Sequence, residues 1–419
     1  MLFPSFRASS HCSESLFSEK VVVPSFQTVS ETLSGSRGIC SLKDQFLSLN
    51  WLQCNNILME IKYDCRYLDG YKPCKAHKQK QAVCASCASY SPIVNNILIL
   101  KTGAAGEVVR NTPLLTRLRQ LYPNAKLTWV THFPDLIPKG MVDEVLKFSW
   151  ENICYLASQE FDIVYSLDKD KKVCGVLSQL NYKMIYGFKI NANGAIIPAN
   201  DFSKEKWLTG IWDHLMLENT KHYVEETFEV CGWEWRGEEY VLPNFTVPKL
   251  EVPQNGKPWV GVNTGAGAAW RTRVLSAQKL EGVVSVLKDK YNVILLGGPE
   301  EEALNQDLSA KFQKDTVYSF GVLPLLDFIG LMSKCDLIIT SVTMALHLAI
   351  GLKKKIVLLN NIFPPNEFYL YGLGEILEPQ ELSCKYCYKS KFDAKCQRPD
   401  CLDSISNDHI LKKVDSLLN

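Results

Sequence analysis

The sequence has no long apolar run and no excess of either charge. No uninterrupted apolar segment reaches the roughly 18 residues that a membrane-spanning helix needs, and Ser, Glu, Lys and Pro interrupt any secretory-type apolar core near the start. Lysine and arginine total 46 against 45 aspartates and glutamates, so no overall basic field attracts nucleic acid or anionic lipid. We therefore expect a cytoplasmic protein that binds no nucleic acid. A peripheral contact with the inner face of the plasma membrane stays an alternative, because it needs no long apolar run.

The composition is that of a globular enzyme. The chain has 419 residues, of which 46% are hydrophobic and 22% charged. Such a chain can bury a full core and has room for two or three domains.

Two glycine-rich loops each follow a short apolar segment typical of a buried strand. The first ends at Glu107 and contains Gly103 and Gly106; the second ends at Gly267. Glycines let the backbone approach a phosphate closely, and the helix that follows such a loop offers unpaired N–H groups. Two such loops about half a protein apart predict two Rossmann-like domains that face one another across a cleft and bind a nucleotide-linked substrate.

The apolar periodicity predicts an α/β fold in both halves. Predicted helices alternate with near-continuous apolar strands, which are typical of a parallel sheet covered on both faces. The strands are predicted at 97–101, 126–130, 163–166, 184–187, 259–263, 292–296, 336–340 and 355–359, and the helices at 112–121, 276–288, 300–312, 325–333, 344–351 and 408–418. A polar segment at 244–257, broken by proline and glycine, is predicted to link the two domains.

Eight of the fifteen cysteines form two compact groups. These are Cys65, Cys74, Cys84 and Cys87, and then Cys384, Cys387, Cys396 and Cys401. Each group contains one C-x-x-C and two further thiols, a spacing suited to structural zinc or, less often, iron. Disulfides and ordinary thiols are the alternatives, and a reducing cytosol disfavours disulfides. Four thiolates leave no open coordination position, so we expect no catalytic metal.

These patterns predict five parts of the chain. They are a poorly ordered extension at 1–58, a cysteine-rich metal module at 59–92, Rossmann-like domains at 93–245 and 246–383, and a second cysteine-rich module with a terminal helix at 384–419.

The region from about residue 96 to about 374 resembles glycosyltransferase family 9, the ADP-heptose:lipopolysaccharide heptosyltransferase family, in five segments. In chain order they read KTGAAGEVVRNTPLL, VGVNTGAGAAWRTR, VILLGGPEEE, CDLIITSVTMALHLAIGLKKKIVLL and NEFYLYGLGEI. The cysteine groups resemble those flanking certain bacterial members. The resemblance implies a GT-B fold whose C-terminal domain holds an ADP-linked sugar and whose N-terminal domain holds the acceptor. It also implies inverting transfer by a single displacement, without a catalytic metal.

The resemblance places the general base at Glu107, where the family usually has an aspartate. A first-turn glutamate that only stabilises the helix dipole is the alternative. Lys101 and Arg110 could hold a phosphate or carboxylate of the acceptor, or be ordinary surface cations.

The resemblance also implies a donor site in the second domain. Arg273, with Arg271 as a second candidate, would contact the diphosphate, and Glu301 would contact the ribose. The family segment Asp-Thr-Gly-x-x-His reads here from Val342 to His347, so its aspartate and glycine are absent, and Glu367 is the candidate substitute carboxylate. The other implied donor residues are Thr264, Gly265, Ala266, Gly297, Thr343, Met344, Ala345 and His347. An acid that only stabilises the start of a helix is the alternative for Glu301, and a core histidine is the alternative for His347.

The leading hypothesis is therefore an inverting transferase that moves heptose or a related sugar to a cell-envelope glycolipid, polysaccharide or protein. A sugar-nucleotide epimerase is one alternative, and it would need further acids and a histidine around the sugar. A non-catalytic scaffold that binds a nucleotide-sugar is another, favoured by the absent aspartate. A nucleic-acid-binding zinc module is disfavoured, because no recognition helix or aromatic platform accompanies the lysines near Cys74.

Overall fold

The computed structural model describes residues 60–249, 255–267, 272–312, 316–380, 382, 384, 386–387 and 401–419. The predicted extension at 1–58, Arg271 and Cys396 lie outside these residues. None of the described helices is long and apolar enough to cross a membrane.

Two six-stranded sheets carry the fold. The first has the order β3-β2-β1-β4-β5-β6 and is parallel except for its last pair. Its strands are β1 (Asn96–Leu100), β2 (Lys126–Thr131), β3 (Glu144–Lys147), β4 (Glu160–Ser166), β5 (Asn181–Ile190) and β6 (Ile196–Pro198).

The second sheet is parallel throughout and has the order β12-β11-β10-β7-β8-β9. Its strands are β7 (Trp259–Asn263), β8 (Asn292–Leu296), β9 (Val317–Ser319), β10 (Leu337–Ser341), β11 (Lys355–Leu359) and β12 (Gly374–Leu377). The two parallel-sheet layers confirm the predicted α/β, GT-B-like fold.

The described helices lie between the strands and at the chain end. They are α1 (Lys75–Lys80), α2 (Ala105–Val109), α3 (Pro113–Leu121), α4 (Trp150–Ala157), α5 (Lys171–Val176), α6 (Lys204–Leu208), α7 (Asp213–Glu218), α8 (Tyr223–Val230), α9 (Ala277–Leu287), α10 (Glu302–Lys311), α11 (Leu325–Met332), α12 (Met344–Gly351) and α13 (Asn407–Leu418). Local signals fix several starts: Pro113 occupies the first turn of α3, and the hydroxyls of Ser276 and Ser406 cap α9 and α13.

The central strands are buried on both faces. In β1, Ile97, Leu98, Ile99 and Leu100 are all fully buried, because helices cover the sheet on each side. In the second sheet, α13 packs on α9 and adds Ile410 and Val414 to the core. Rigid strands therefore end on one edge of each sheet, and the loops that leave these ends carry most of the predicted site.

Candidate active site

A cleft of about 1970 Å³ is lined by the loops at the carboxyl ends of both sheets. Fifteen of the predicted catalytic, donor-site and acceptor-site residues line it: Lys101, Gly103, Gly106, Glu107, Arg110, Gly265, Ala266, Arg273, Gly297, Glu301, Thr343, Met344, Ala345, His347 and Glu367. Cys387 of the second cysteine group lines it as well. Thr264 does not line the cleft; its buried hydroxyl lies 2.7 Å from Asn305 Oδ1 and 3.1 Å from the Leu296 carbonyl oxygen. Its backbone amide, the group predicted to contact the donor, donates to the Leu296 carbonyl oxygen at 2.9 Å. The donor contact of Thr264 stays a prediction.

Glu107 lies in the first turn of α2, directly after the loop that leaves β1. Its Oε2 accepts hydrogen bonds from Lys101 Nζ at 2.8 Å and from the Tyr223 hydroxyl at 3.3 Å. Its Oε1 pairs with the guanidinium of Arg110. Burial by itself would raise the pKa of Glu107, but the positive charges of Arg110 and Lys101 outweigh it and hold that pKa well below its usual range. Glu107 is therefore ionised, and about a third of its side chain faces the cleft.

Lys101 and Arg110 are not surface cations. They are 3% and 8% exposed, and each contacts two carboxylates. Arg110 Nη1 lies 3.1 Å from Glu367 Oε1, and its guanidinium carbon lies 3.3 Å from the centre of the Tyr223 ring. Glu367, the candidate substitute for the absent family aspartate, thus pairs with a cation directly after the first sheet's helix α2.

Asp168 is a buried acid of this site that the sequence analysis did not identify. It follows the end of β4, the strand paired with β1, and its Oδ1 lies 2.7 Å from Lys101 Nζ. The sequence feature that could have identified Asp168 is its position just after a predicted strand, because the carboxyl ends of adjacent parallel strands meet at one edge of the sheet. A lone aspartate two residues past a predicted strand is too common for that signal to be noticed.

The second sheet contributes the loop before α12. The hydroxyl of Thr343 caps this helix by accepting from the Ala345 amide at 3.2 Å, and the Asn263 side chain lies 3.4 Å from the same oxygen. Arg273 Nη1 donates to the Val342 carbonyl oxygen. An arginine and the start of an eight-residue helix thus share one wall of the cleft, an arrangement suited to an anion.

Glu301 sits against the glycine loop that follows β7. Its Oε2 accepts from the Gly298 amide at 2.8 Å. A Cβ at Gly265 would lie 2.1 Å from Glu301 Oε1, so a side chain at position 265 would displace this carboxylate.

Helices α2 and α12 contact one another at the base of the cleft. A Cβ at Gly106 would lie 2.8 Å from His347 Cδ2 and 3.3 Å from Met344 Cα. His347 is 5% exposed, and its Nδ1 lies 3.4 Å from the Tyr240 hydroxyl. Burial, reinforced by the charge of Arg110, lowers the pKa of His347 to about 3. The histidine is therefore neutral; it packs against Gly106 of α2 and borders the cleft.

The structure does not confirm a metal site at the first cysteine group. Cys65, Cys74, Cys84 and Cys87 are half-buried thiols, and no three His, Cys, Asp or Glu side chains among the described residues are placed to hold a metal ion. In the second group, Cys401 Sγ accepts from Asn361 Nδ2 at 3.0 Å. The predicted zinc or iron is not confirmed.

Three solved structures share the fold. The glycosyl transferase family 9 protein from Veillonella parvula DSM 2008 is 17% identical with a TM-score of 0.57, covering 78% of this chain and 97% of its own. The ADP-heptose lps heptosyltransferase II of E. coli is 14% identical with a TM-score of 0.54, covering 77% and 98%. The E. coli heptosyltransferase WaaC with ADP is 14% identical with a TM-score of 0.53, covering 77% and 99%.

No curated protein sequence matches the chain. A family model described as glycosyltransferase family 9 (heptosyltransferase) matches residues 153–389. This segment includes both Asp168 and the donor-side loops and spans more than half of the 419 residues. The chain belongs to glycosyltransferase family 9.

Proposed function

We propose that this glycosyltransferase moves a heptose or related sugar, with inversion, from an ADP-linked donor to a cell-envelope acceptor in the cytoplasm. The observation that carries the proposal is the ionised Glu107 carboxylate, which faces a cleft whose opposite wall holds Arg273 and the start of α12. The ADP and ADP-heptose named for the two E. coli structures motivate the choice of donor. Family membership favours transfer over the epimerase and scaffold alternatives.

In the proposed reaction, Glu107 accepts the proton of an acceptor hydroxyl. The acceptor oxygen attacks the anomeric carbon, the bond from that carbon to the diphosphate oxygen breaks, and ADP leaves with the electron pair. Arg273 and the amides of Met344 and Ala345 offset the charge that grows on the leaving diphosphate. The first domain, at 93–245, would hold the acceptor and the second, at 246–383, the donor.

The tight pairing of Glu107 limits its basicity in the free protein. A carboxylate between two cations holds a proton weakly, and general-base catalysis improves as the pKa of the base approaches the working pH. Acceptor binding that draws Arg110 toward Glu367 would raise the proton affinity of Glu107. The shared guanidinium thus offers a way to activate the base only when the cleft is filled.

An acidic group of the acceptor would bind lysines other than Lys101, because Lys101 already pairs with Glu107 and Asp168. Lys169, Lys171 and Lys172 line the first domain's wall of the cleft, and none of the three forms an ion pair with a carboxylate in the described part of the chain. Burial and the neighbouring Lys206 lower the pKa of Lys169 to about 8, so a bound anion would stabilise its charged form.

Calorimetric titration with ADP, ADP-heptose and UDP-sugars tests the donor. We expect ADP-heptose to bind, and Arg273→Ala to weaken that binding about tenfold or more. Arg236→Ala is the matched control, because the Arg236 side chain is 72% exposed and pairs only with Glu234 among the described acids. Equal binding of every nucleotide, or of none, would contradict the proposed donor.

Turnover tests the base. Glu107→Gln keeps the side-chain size and should lower transfer or donor hydrolysis about 10²–10⁴-fold while sparing affinity for ADP-heptose. Glu281→Gln, at a surface pair with Lys311, is the control. Unchanged turnover in Glu107→Gln would overturn the assignment of the base.

A structural zinc or iron in the second cysteine group stays part of the proposal, since Cys396 lies outside the described residues. Metal analysis of the purified protein, compared with Cys384→Ser, tests it, and protein without stoichiometric metal would remove it from the proposal.

A further inference from the structure

Asp168 holds three consecutive residues of the loop that precedes the proposed base. Its Oδ2 accepts from the Thr102 hydroxyl at 2.7 Å, from the Gly103 amide at 3.2 Å and from the Thr102 amide. Its Oδ1 accepts from Lys101 Nζ at 2.7 Å. Asp168 is 5% exposed, so these four bonds take the place of water around a buried charge.

Lys101 connects this carboxylate to the base. Its ammonium lies 2.7 Å from Asp168 and 2.8 Å from Glu107, and the side chain is 3% exposed. One buried cation is thus shared between two carboxylates, of which the Glu107 side chain is 34% exposed and that of Asp168 only 6%. Removal of Asp168 would leave the whole charge of Lys101 to Glu107.

We infer that Asp168 is a positioning residue, which fixes the 101–103 loop and divides the charge of Lys101 so that Glu107 stays oriented and able to take a proton. This inference rests on the proposed function, in which Glu107 is the base. Asp168 acts through Lys101 and needs no contact with substrate.

Three other groups face Glu107. Arg110 follows α2 directly, Tyr223 stands on α8 and His347 on α12, and none of them forms a described hydrogen bond or ion pair with Asp168. Substitution of Asp168 therefore changes one of the two cation contacts of Glu107 and leaves that of Arg110 in place.

Asp162, within β4, provides a matched control near Asp168 in the chain. It too accepts from a backbone amide, that of Asn96 at 2.8 Å, and from a lysine, Lys183 at 2.7 Å. It does not line the cleft. Asp162→Asn and Asp168→Asn therefore remove similar bonds, but only the second should affect Glu107.

A double-mutant cycle on donor hydrolysis, with ADP-heptose as the probe and water as the acceptor, tests the inference. We expect Asp168→Asn to lower kcat about tenfold or more, with KM for ADP-heptose changed by less than about twofold. In the Glu107→Gln background the same substitution should change kcat by less than about twofold. An equal loss in both backgrounds would show that Asp168 does not act through Glu107.

Hydrogen exchange gives a readout that needs no turnover. Asp168→Asn should accelerate exchange in the peptide covering 101–107, whereas Asp162→Asn should leave that peptide as in the wild type. Unchanged exchange in Asp168→Asn overturns the inference. If ADP-heptose neither binds nor is hydrolysed, the proposed donor fails, and exchange alone decides whether Asp168 holds the loop.

Discussion

Arg110, the residue directly after helix α2, pairs with Glu367, in the turn after β11, across an Nη1–Oε1 distance of 3.1 Å. The pair joins the helix that carries Glu107 to a segment following the second sheet. Both side chains are at most one-fifth exposed, so water screens the interaction only partly. The two walls of the cleft are therefore joined by an ion pair as well as by packing.

Loss of this pair should lower stability. Glu367→Gln removes one of the two carboxylates around Arg110, and we expect the free energy of unfolding to fall by about 1–2 kcal/mol. Denaturant unfolding at neutral pH measures this change in the free energy of unfolding. Glu239→Gln, which breaks an exposed pair with Lys353, should cost no more than a usual surface substitution, about 0.5 kcal/mol. Equal losses in the two variants would mean that the Arg110–Glu367 pair adds nothing.

The contact between α2 and α12 should not tolerate a methyl group. Gly106→Ala places a Cβ 2.8 Å from His347 Cδ2, and we expect a loss of about 1–3 kcal/mol from overpacking. Gly175→Ala is the control, because this helical glycine has no atom within 4 Å of a built Cβ. The control should be neutral or stabilising. The free energies of unfolding of the two variants are measured under the same conditions. An unchanged free energy of unfolding in Gly106→Ala would mean that α2 and α12 can move apart without cost.

Nucleotide affinity should depend on the glycine beneath Glu301. Gly265→Ala would push this carboxylate away from the Gly298 amide, and we expect ADP to bind about tenfold more weakly. The Glu301→Ala substitution removes the side chain with which a Cβ at position 265 would clash. In that background, Gly265→Ala should therefore reduce the affinity for ADP less than it does alone. Calorimetry with ADP measures all three variants; strictly additive losses would argue against a clash.

Stability should fall in mild acid, because His222 is buried in its neutral form. Burial lowers the pKa of His222 to about 4 from an ordinary 6.5. The unfolded chain therefore binds more protons than the folded one between these values, so stability rises with pH across this window and is lost as pH falls through it. His222→Asn can still accept from the Glu225 amide.

The measurement is the slope of unfolding free energy against pH. We expect His222→Asn to lower that slope between pH 6.5 and 4 by up to about one proton, compared with the wild type. His214→Asn, at an exposed position, should leave the slope unchanged. A wild-type slope in His222→Asn would place the acid sensitivity elsewhere.

The sequence predicted where the cleft lies, because the cleft forms where the central strands end and short stretches of sequence mark those ends. Apolar runs predicted the central strands, and the glycine loops after β1 and β7 marked the edges at which those strands end. The short edge strands β3, β6, β9 and β12 were missed, because three to four residues are too few to show a period.

The partners of the site residues could not be read from the sequence. Glu107 was identified by resemblance, but its environment depends on Asp168 and Tyr223, which the fold brings from distant parts of the chain. Glu367 was named as the candidate substitute carboxylate, but the sequence did not show that its Oε1 pairs with Arg110, an interaction set by the packing of the two sheets. Ion pairs of this kind leave no periodic signal in the residues that form them.

The close approach of Gly106 to His347 has a consequence for related sequences. The two positions share one small volume, so a side chain at 106 is tolerated only if the residue at 347 becomes smaller. Among family members with this helix contact, the identities at the two positions should therefore vary together, although the chain separates them by more than half its length.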